Sequence, residues 1–315
     1  MKDKISVVIP CYNGGAYLEA CVASVNCRAD VELEIVIVDD GSADDTAEVC
    51  KRLVAQDGRI RYHYQENAGV SAARNAGLTH ATGDFVMFCD ADDVLADDAV
   101  DRLYDAICRT DSDMASGLMS VQKSDASEVC EPENESVTVY DHPDDIMKRC
   151  LHTAYDSVCG KLYRRERLTG ISFEVGRKIN EDVFFVFQCL TRCRKVVEIN
   201  RTVYRYLYHK GSASHTVFAE KHYDVLYFME RKLDFLRERY PHLKRTHEAV
   251  ALRHLITFFL KYVRSDASEK EKNAIRRQIF RNRKGARLCS KREQILTFVI
   301  CYAYPIFRYR YRKKR

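Results

Sequence analysis

A chain of 315 residues and 36.5 kDa, 46% hydrophobic and 31% charged, can bury a large core, and that balance excludes an intrinsically disordered protein. Its thirteen cysteines are odd in number and scattered through apolar runs, and Cys189 and Cys193 lack the paired knuckles of a zinc site, so they read as free thiols rather than a disulfide framework. The formal charge of +5 is uneven: residues 276–315 hold 14 Lys/Arg against one acid, a local +13, so the first 275 carry −8.

The first hundred residues alternate between apolar strands and helical patterns. Ile5 to Ile9 is a β-branched run ended by Pro10, too short for a secretory leader, which points to an intracellular protein. Ala16 to Val25 has helical spacing at Leu18, Cys21, Val22 and Val25. Leu33 to Val38 predicts a second strand, and Ser42-x-x-Asp45 predicts a capped helix after it. A short strand over Ile60 to Tyr64, an alanine-rich helix over Ser71 to Ala81 and a fourth strand over Phe85 to Cys89 complete the series.

Strands apolar on both faces, separated by helices, imply a parallel sheet covered on each side. Right-handed crossovers put the strand ends on one edge, where ligands bind. Those ends are Pro10-Cys11-Tyr12-Asn13, Asp39-Asp40-Gly41-Ser42 and Asp90-Ala91-Asp92-Asp93, so aromatic, amide and acidic groups converge.

Beyond Asp101 the pattern predicts a helix to about Arg109, then an acidic surface loop, SDASEVCEPENES. Val158 to Arg167 follows, then Ile179 to Leu190, with Glu181-Asp182 ahead of the helical run Val183-Phe184-Phe185-Val186-Phe187. Val196 to Tyr208 is strand-like, and from Ala219 onward the pattern is mainly helical and charged.

Asn13-Gly14-Gly15 is not a dinucleotide-binding G-x-G-x-x-G, and no P-loop occurs, which removes the main support for those readings. Asp90 and Asp92 at a strand end make a hard-cation site, since Mg²⁺ and Mn²⁺ take carboxylate oxygens and complete their shell with substrate phosphates. Asp97 and Asp98 read as charges complementing the next helix dipole, with Asp93 a bystander at its start.

Together SVVIPCYNGGAYL, ELEIVIVDDGSADDT, NAGVSAARNAGL and GDFVMFCDADD resemble, in order and spacing, the nucleotide-sugar motifs of family 2 glycosyltransferases of bacterial polysaccharide synthesis. The resemblance is dense over residues 5 to 95. It implies a GT-A fold, a parallel-centred mixed α/β sheet flanked by helices, over residues 1–215, with a helical C-terminal region over 216–315. It implies that Tyr12 stacks on a nucleobase whose imide N–H Asp40 accepts, that Pro10, Asn13 and Asp39 frame the pocket, and that Arg74 lies near base or phosphate. Asp90 then faces the ribose or donor sugar and Asp92 ligates Mn²⁺ or Mg²⁺. By themselves Tyr12 reads equally as a core ring and Arg74 as a helix-surface ion pair.

In the second half the resemblance is looser. Lys161, in Cys159-Gly160-Lys161-Leu162-Tyr163-Arg164, resembles the K-L-[YF] segment of such enzymes, and Asn180-Glu181-Asp182 the motif whose aspartate is the general base, here Asp182. Read alone, Glu181-Asp182 are helix-capping acids. His209, Lys210, Ser212 and Ser214 resemble the loop that closes over the donor diphosphate, with His209-Lys210 where many relatives have Arg.

Ile295 to Phe307 is an apolar run of 13 residues, too short to span a bilayer, and RYRYRKKR follows it. Apolar and aromatic residues flanked by Arg and Lys suit an anionic membrane surface; a packed C-terminal helix and a nucleic-acid tail are the competing readings. The resemblance thus implies an inverting, metal-dependent transferase moving a sugar from a UDP-sugar to a saccharide or lipid-linked saccharide, peripheral on the inner face of the cytoplasmic membrane, without nucleic acid as partner. A non-catalytic nucleotide-sugar-binding protein is the alternative. A nucleotidyltransferase would need a Gly- and Arg-rich triphosphate loop that Pro10 to Gly15 does not supply. Donor choice is assigned to Met114 to Arg177.

Overall fold

A computed structural model describes residues 2–123, 134–152, 157–208, 223–262 and 269–304. The chain divides into two compact units, Met1–Ile146 with Asp156–His215, and Met147–Tyr155 with Thr216–Arg315.

In the first unit β1 (Lys4–Cys11), α1 (Gly15–Ser24), β2 (Glu32–Asp40), α2 (Thr46–Gln56), β3 (Ile60–Gln65), α3 (Val70–His80) and β4 (Phe85–Phe88) follow in order. β1 pairs in parallel with β2 and β4, and β2 with β3. Ile5, Val7, Val8, Ile9 and Ile35 to Val38 are at most 1% exposed, so these strands are buried on both faces, each aliphatic side chain worth about 1.5–3 kcal/mol in transfer alone. A Cβ at Gly77 would collide with the Val8 side chain, so that glycine lets α3 lie close on β1.

The rest of the sheet is mixed. β5 (Val94–Leu95), α4 (Ala99–Thr110), β6 (Met114–Lys123), β7 (Val137–Tyr140), α5 (Pro143–His152), β8 (Lys161–Arg164), α6 (Glu181–Leu190) and β9 (Val196–Tyr208) complete the order. Among the described residues the nine strands form one sheet, β3-β2-β1-β4-β8-β6-β9-β5, with β7 also on β9. β8 runs antiparallel to β4 and β6, and β5 and β7 run antiparallel to β9, while β6 and β9 are parallel to each other. The mixed sheet with flanking helices is the expected fold class, and the parallel pairing expected of the first four strands forms its parallel part.

Two local expectations need correction. Ser42 caps no helix: α2 starts at Thr46 after Asp45, and the Ser42 hydroxyl instead accepts the Asn13 N–H at 2.9 Å. Asp93 is not at a helix start, because α4 begins only at Ala99, and it is 1% exposed.

The second unit contains α7 (Tyr223–Arg239), α8 (Lys244–Tyr262), α9 (Glu269–Asn282) and α10 (Lys291–Tyr302). Leu252, Leu255, Ile256, Phe259, Ile275, Ile279 and Ile300 form its core. α10 starts at a full capping box between Ser290 and Glu293, which satisfies two otherwise unpaired backbone donors. No helix among the described residues is long and apolar enough to cross a membrane.

Candidate functional site

The ends of β1 and β2 are sewn together by short polar residues. Asn13, at φ 50°, accepts the Ala43 N–H on Oδ1 at 2.8 Å. The Gly14 N–H donates to Thr46 Oγ1 at 3.1 Å and the Gly15 N–H to Asp44 Oδ2 at 3.2 Å. A side chain at Gly14 would press on the Cys11 sulfur at 2.8 Å, and one at Gly15 would overlap Asp45. Both glycines are therefore set by close packing of the two loops. Tyr12, just beyond β1, is 56% exposed, so it is not a core ring and its face is free to stack. Pro10, buried in β1, lies past the last residue paired with β4, where a missing N–H costs nothing.

Asp39 is fully buried, accepting the Ser42 N–H and the Tyr62 hydroxyl at 2.9 and 3.0 Å. Asp40 is 3% exposed and accepts three donors: Gln65 Nε2 at 2.7 Å and the N–H groups of Ala68 and Gly69 at 2.9 and 2.8 Å. Asp40, expected to accept a nucleobase N–H, is in this structure the anchor of the β3–α3 turn, where Gly69 adopts φ 90°.

The second half of the edge centres on Arg74. Expected near base or phosphate, or as a surface ion pair, it is 5% exposed and internally engaged. It donates from Nη2 to Asp90 Oδ1 at 2.8 Å and from Nη1 to Glu181 Oε1 at 3.2 Å, and its guanidinium lies 5.4 Å from the Phe173 ring centroid. Asn75 holds that ring's backbone from both sides, at 2.9 and 2.8 Å. α3 thus brings the end of β4 and the start of α6 to one cation. The positive charge that clustered aspartates require comes first from the protein itself.

Glu181 and Asp182 open α6 behind Asn180, which takes φ 66° and makes no side-chain cap. Burial, and then the charge of Asp182, push the Glu181 carboxyl up to about 7 against the pull of Arg74. Burial also raises Asp182, opposed by Arg74 and by the Val183 N–H that its Oδ1 accepts at 2.7 Å. Lys161, 5% exposed on β8, donates to the Ser157 carbonyl at 2.6 Å and lowers the Asp182 carboxyl electrostatically. Asp92 is half-buried two residues beyond Asp90. His209, Lys210, Ser212 and Ser214 lie outside the described residues, so the closing loop is not placed.

Asp93 was missed as a site residue. Its carboxylate accepts the Tyr204 hydroxyl at 2.6 Å and the Leu207 N–H at 2.8 Å, and burial pushes it up to about 7 despite both bonds. Its place directly before the apolar run Val94-Leu95-Ala96 is the one sequence signal for burial.

Four carboxyl groups, Asp90, Asp92, Glu181 and Asp182, gather here against two basic side chains, Arg74 and Lys161. Among the described residues no three His, Cys, Asp or Glu side chains form an all-protein metal cage. Mn²⁺ and Mg²⁺ in nucleotide enzymes use about one or two carboxylates and fill the shell with phosphate oxygen and water, so the hard oxygens of Asp92 and Asp90 fit such an ion.

The sequence model described as Glycosyl transferase family 2 matches residues 6–170, which takes in the C-terminal ends of β1, β2 and β4. This chain belongs to glycosyltransferase family 2. Glycosyltransferase GlyA of Streptococcus pneumoniae serotype 4 is 35% identical over 75% of this glycosyltransferase, which spans only about a third, 34%, of GlyA. Glycosyltransferase GlyG of the same organism is 30% identical, with 69% of this chain and 75% of GlyG covered. S. aureus TarS 1–349, solved with UDP-GlcNAc, superposes with a TM-score of 0.72 over 100% of this chain and 93% of TarS 1–349, at 19% identity. That likeness is one of fold, GT-A with a helical C-terminal region.

Proposed function

We propose that this glycosyltransferase moves a sugar from a UDP-sugar to a saccharide acceptor, carried on a lipid, with inversion at the anomeric carbon, in assembly of a surface polysaccharide at the inner face of the cytoplasmic membrane. The observation that carries the reading is the Arg74 cluster, which holds Asp90 and the Glu181-Asp182 pair together at the C-terminal edge of the parallel strands. The fold shared with TarS, bound to UDP-GlcNAc, supports a uridine diphosphate donor, and the exposed Tyr12 supplies a ring for the base.

In this reading Asp182 accepts the proton of the acceptor hydroxyl as it attacks C1. A carboxyl raised by burial suits that task, since burial increases the proton affinity that a general base uses. Arg74 and Lys161 both favour the ionised form of Asp182 against that burial. Asp90 orients the donor sugar, and Asp92 with Asp90 would hold the metal. Mn²⁺ or Mg²⁺, when bound, supplies charge neutralisation for the departing UDP. His209, Lys210, Ser212 and Ser214 belong to the same reading as donors to the diphosphate.

Asp182→Asn tests the assignment: transfer should fall about 10²–10⁴-fold while calorimetric UDP-sugar binding persists. Substantial turnover by that variant removes Asp182 as base. Asp92→Ala should lose the Mn²⁺-dependent part of UDP binding, and unchanged binding with metal would take Asp92 out of the metal site.

A further inference from the structure

The second unit carries a surface that the site chemistry does not use. α10 is two-faced in an unusual way. Thr297 and Ile300 are buried in the unit, while Ile295, Phe298 and Tyr302 are 64%, 61% and 59% exposed. These three sit at i, i+3 and i+7, so they form one stripe along the helix. Phe280 of α9, 43% exposed, continues it: its ring centroid lies 6.0 Å from Tyr302, which lies 5.4 Å from Phe298. Single exposed hydrophobics are ordinary, but a contiguous aromatic patch on two adjacent helices needs an occupant.

The surrounding charge says what kind. A groove of about 490 Å³ beside the patch is lined by Asn273, Arg276, Arg277, Phe280, Arg281, Ile300 and Cys301. Arg276 lies 3.9 Å from the Tyr304 ring centroid and donates to the Ile300 carbonyl at 3.1 Å, which fixes the groove floor. Arg277 is exposed, Arg281 shares its charge with Glu230 at 3.2 Å, and Arg283 stacks on Phe280 at 3.8 Å. From Arg276 to Tyr304 the chain holds eight Lys/Arg and a single acid, Glu293, whose carboxylate is spent on the α10 cap. A protein partner of mixed charge does not match so one-sided a rim. Apolar rings within a cationic border match an anionic bilayer surface, whose headgroups take the arginines and whose acyl boundary takes the rings.

We infer that the α9–α10 face, through Ile295, Phe298, Tyr302 and Phe280 and the arginine groove, is the surface by which this enzyme lies on anionic lipid. The inference deepens the reading of a lipid-carried acceptor and rests on it for its purpose, though not for its test.

The chain contains no tryptophan, so Phe298→Trp in the full-length protein gives a lone fluorophore on the patch. Its emission should shift to the blue with phosphatidylglycerol-containing vesicles and be quenched by brominated acyl chains, with neither effect on pure phosphatidylcholine. Phe298→Gln/Tyr302→Gln and, separately, Arg277→Glu/Lys291→Glu should each lower anionic-vesicle affinity at least about tenfold, with UDP-sugar binding and the melting curve retained. The inference is overturned if the fluorophore stays water-exposed on protein that sediments with vesicles, since the contact is then elsewhere. It is equally overturned if the blue shift comes with RNA, or with rising protein concentration alone, instead of with lipid. Vesicle binding through this face by a protein that binds no UDP-sugar would support the inference and count against the donor reading.

Discussion

The Tyr204 hydroxyl donates to Asp93 Oδ2 at 2.6 Å and accepts the Asp90 backbone N–H at 3.2 Å. One phenol on β9 thus holds both ends of the turn that carries Asp90 and Asp92, and the Leu207 N–H on Asp93 adds a second tie to the same strand. Tyr204→Phe keeps the ring but leaves buried groups without their partner, at a cost of about 1–3 kcal/mol. Thermal unfolding should show that loss, and UDP-sugar affinity in the presence of Mn²⁺ should fall with it.

Asp93 also makes stability depend on pH. Its folded value is raised from 3.8 to about 7, so its contribution is fully present below about pH 3.8 and is lost as pH rises through about 7. Asp93→Asn should flatten that part of the profile, so the melting-temperature difference between the two proteins changes from pH 4 to 7 and is constant above. A difference independent of pH would mean that Asp93 is not the group titrating.

Arg74→Lys tests the cluster. A single ammonium cannot fork to Asp90 and Glu181 as a guanidinium does, and breaking a buried ion pair by removing one partner costs about 3–5 kcal/mol. The expected loss is at the low end because a charge remains. Combined with Glu181→Gln, the destabilisation should be smaller than the sum of the two single changes, since both remove one shared interaction. Strict additivity in denaturant unfolding would show that the pair is not coupled.

How far the sequence carries depends on how local each interaction is. The strands β1, β2 and β4 were legible because apolar runs need only neighbours to interpret, although β1 and β2 run on past the expected ends at Ile9 and Val38 to Cys11 and Asp40. The mixed half was not, because MASGLMSVQK over β6 has neither an apolar run nor clean alternation and owes its pairing to β8, antiparallel, and β9, parallel. Likewise the acids were visible but their partners were not: Arg74 meets Glu181 across 107 positions and Tyr204 meets Asp93 across 111. Ser42 shows the opposite error, a local capping pattern overridden by a hydrogen bond to another loop.

Glu34 predicts acid sensitivity at the other edge of the sheet. Burial alone would raise its carboxyl, but donors from Ser6, Thr82 and Lys4 outweigh it and hold it at about 2, below 4.5. That stabilisation is present above pH 4.5 and lost as pH falls through about 2. Glu34→Gln should cost on the order of 3 kcal/mol near neutral pH, with the gap to the native protein closing between pH 4.5 and 2 in urea titrations.

The pH dependence of transfer offers the sharpest test of the Glu181-Asp182 pair. Both carboxyls are raised by burial, Glu181 to about 7, and two interacting acids lose their protons in steps that belong to the pair. A base must be ionised to act, so kcat/KM should rise with pH along an acid limb above the ordinary aspartate value of 3.8 and level off once the pair has given up the proton that Asp182 needs. Glu181→Gln removes a neighbouring negative charge that disfavours ionisation of Asp182, and Arg74 is left to act on Asp182 and Asp90. The acid limb should therefore move to lower pH, with the plateau rate retained to within about tenfold, because Glu181 itself transfers no proton in this scheme. A limb that stays in place would show that Glu181 does not tune the base, and a collapsed plateau with native UDP-sugar affinity would make Glu181 the proton acceptor instead.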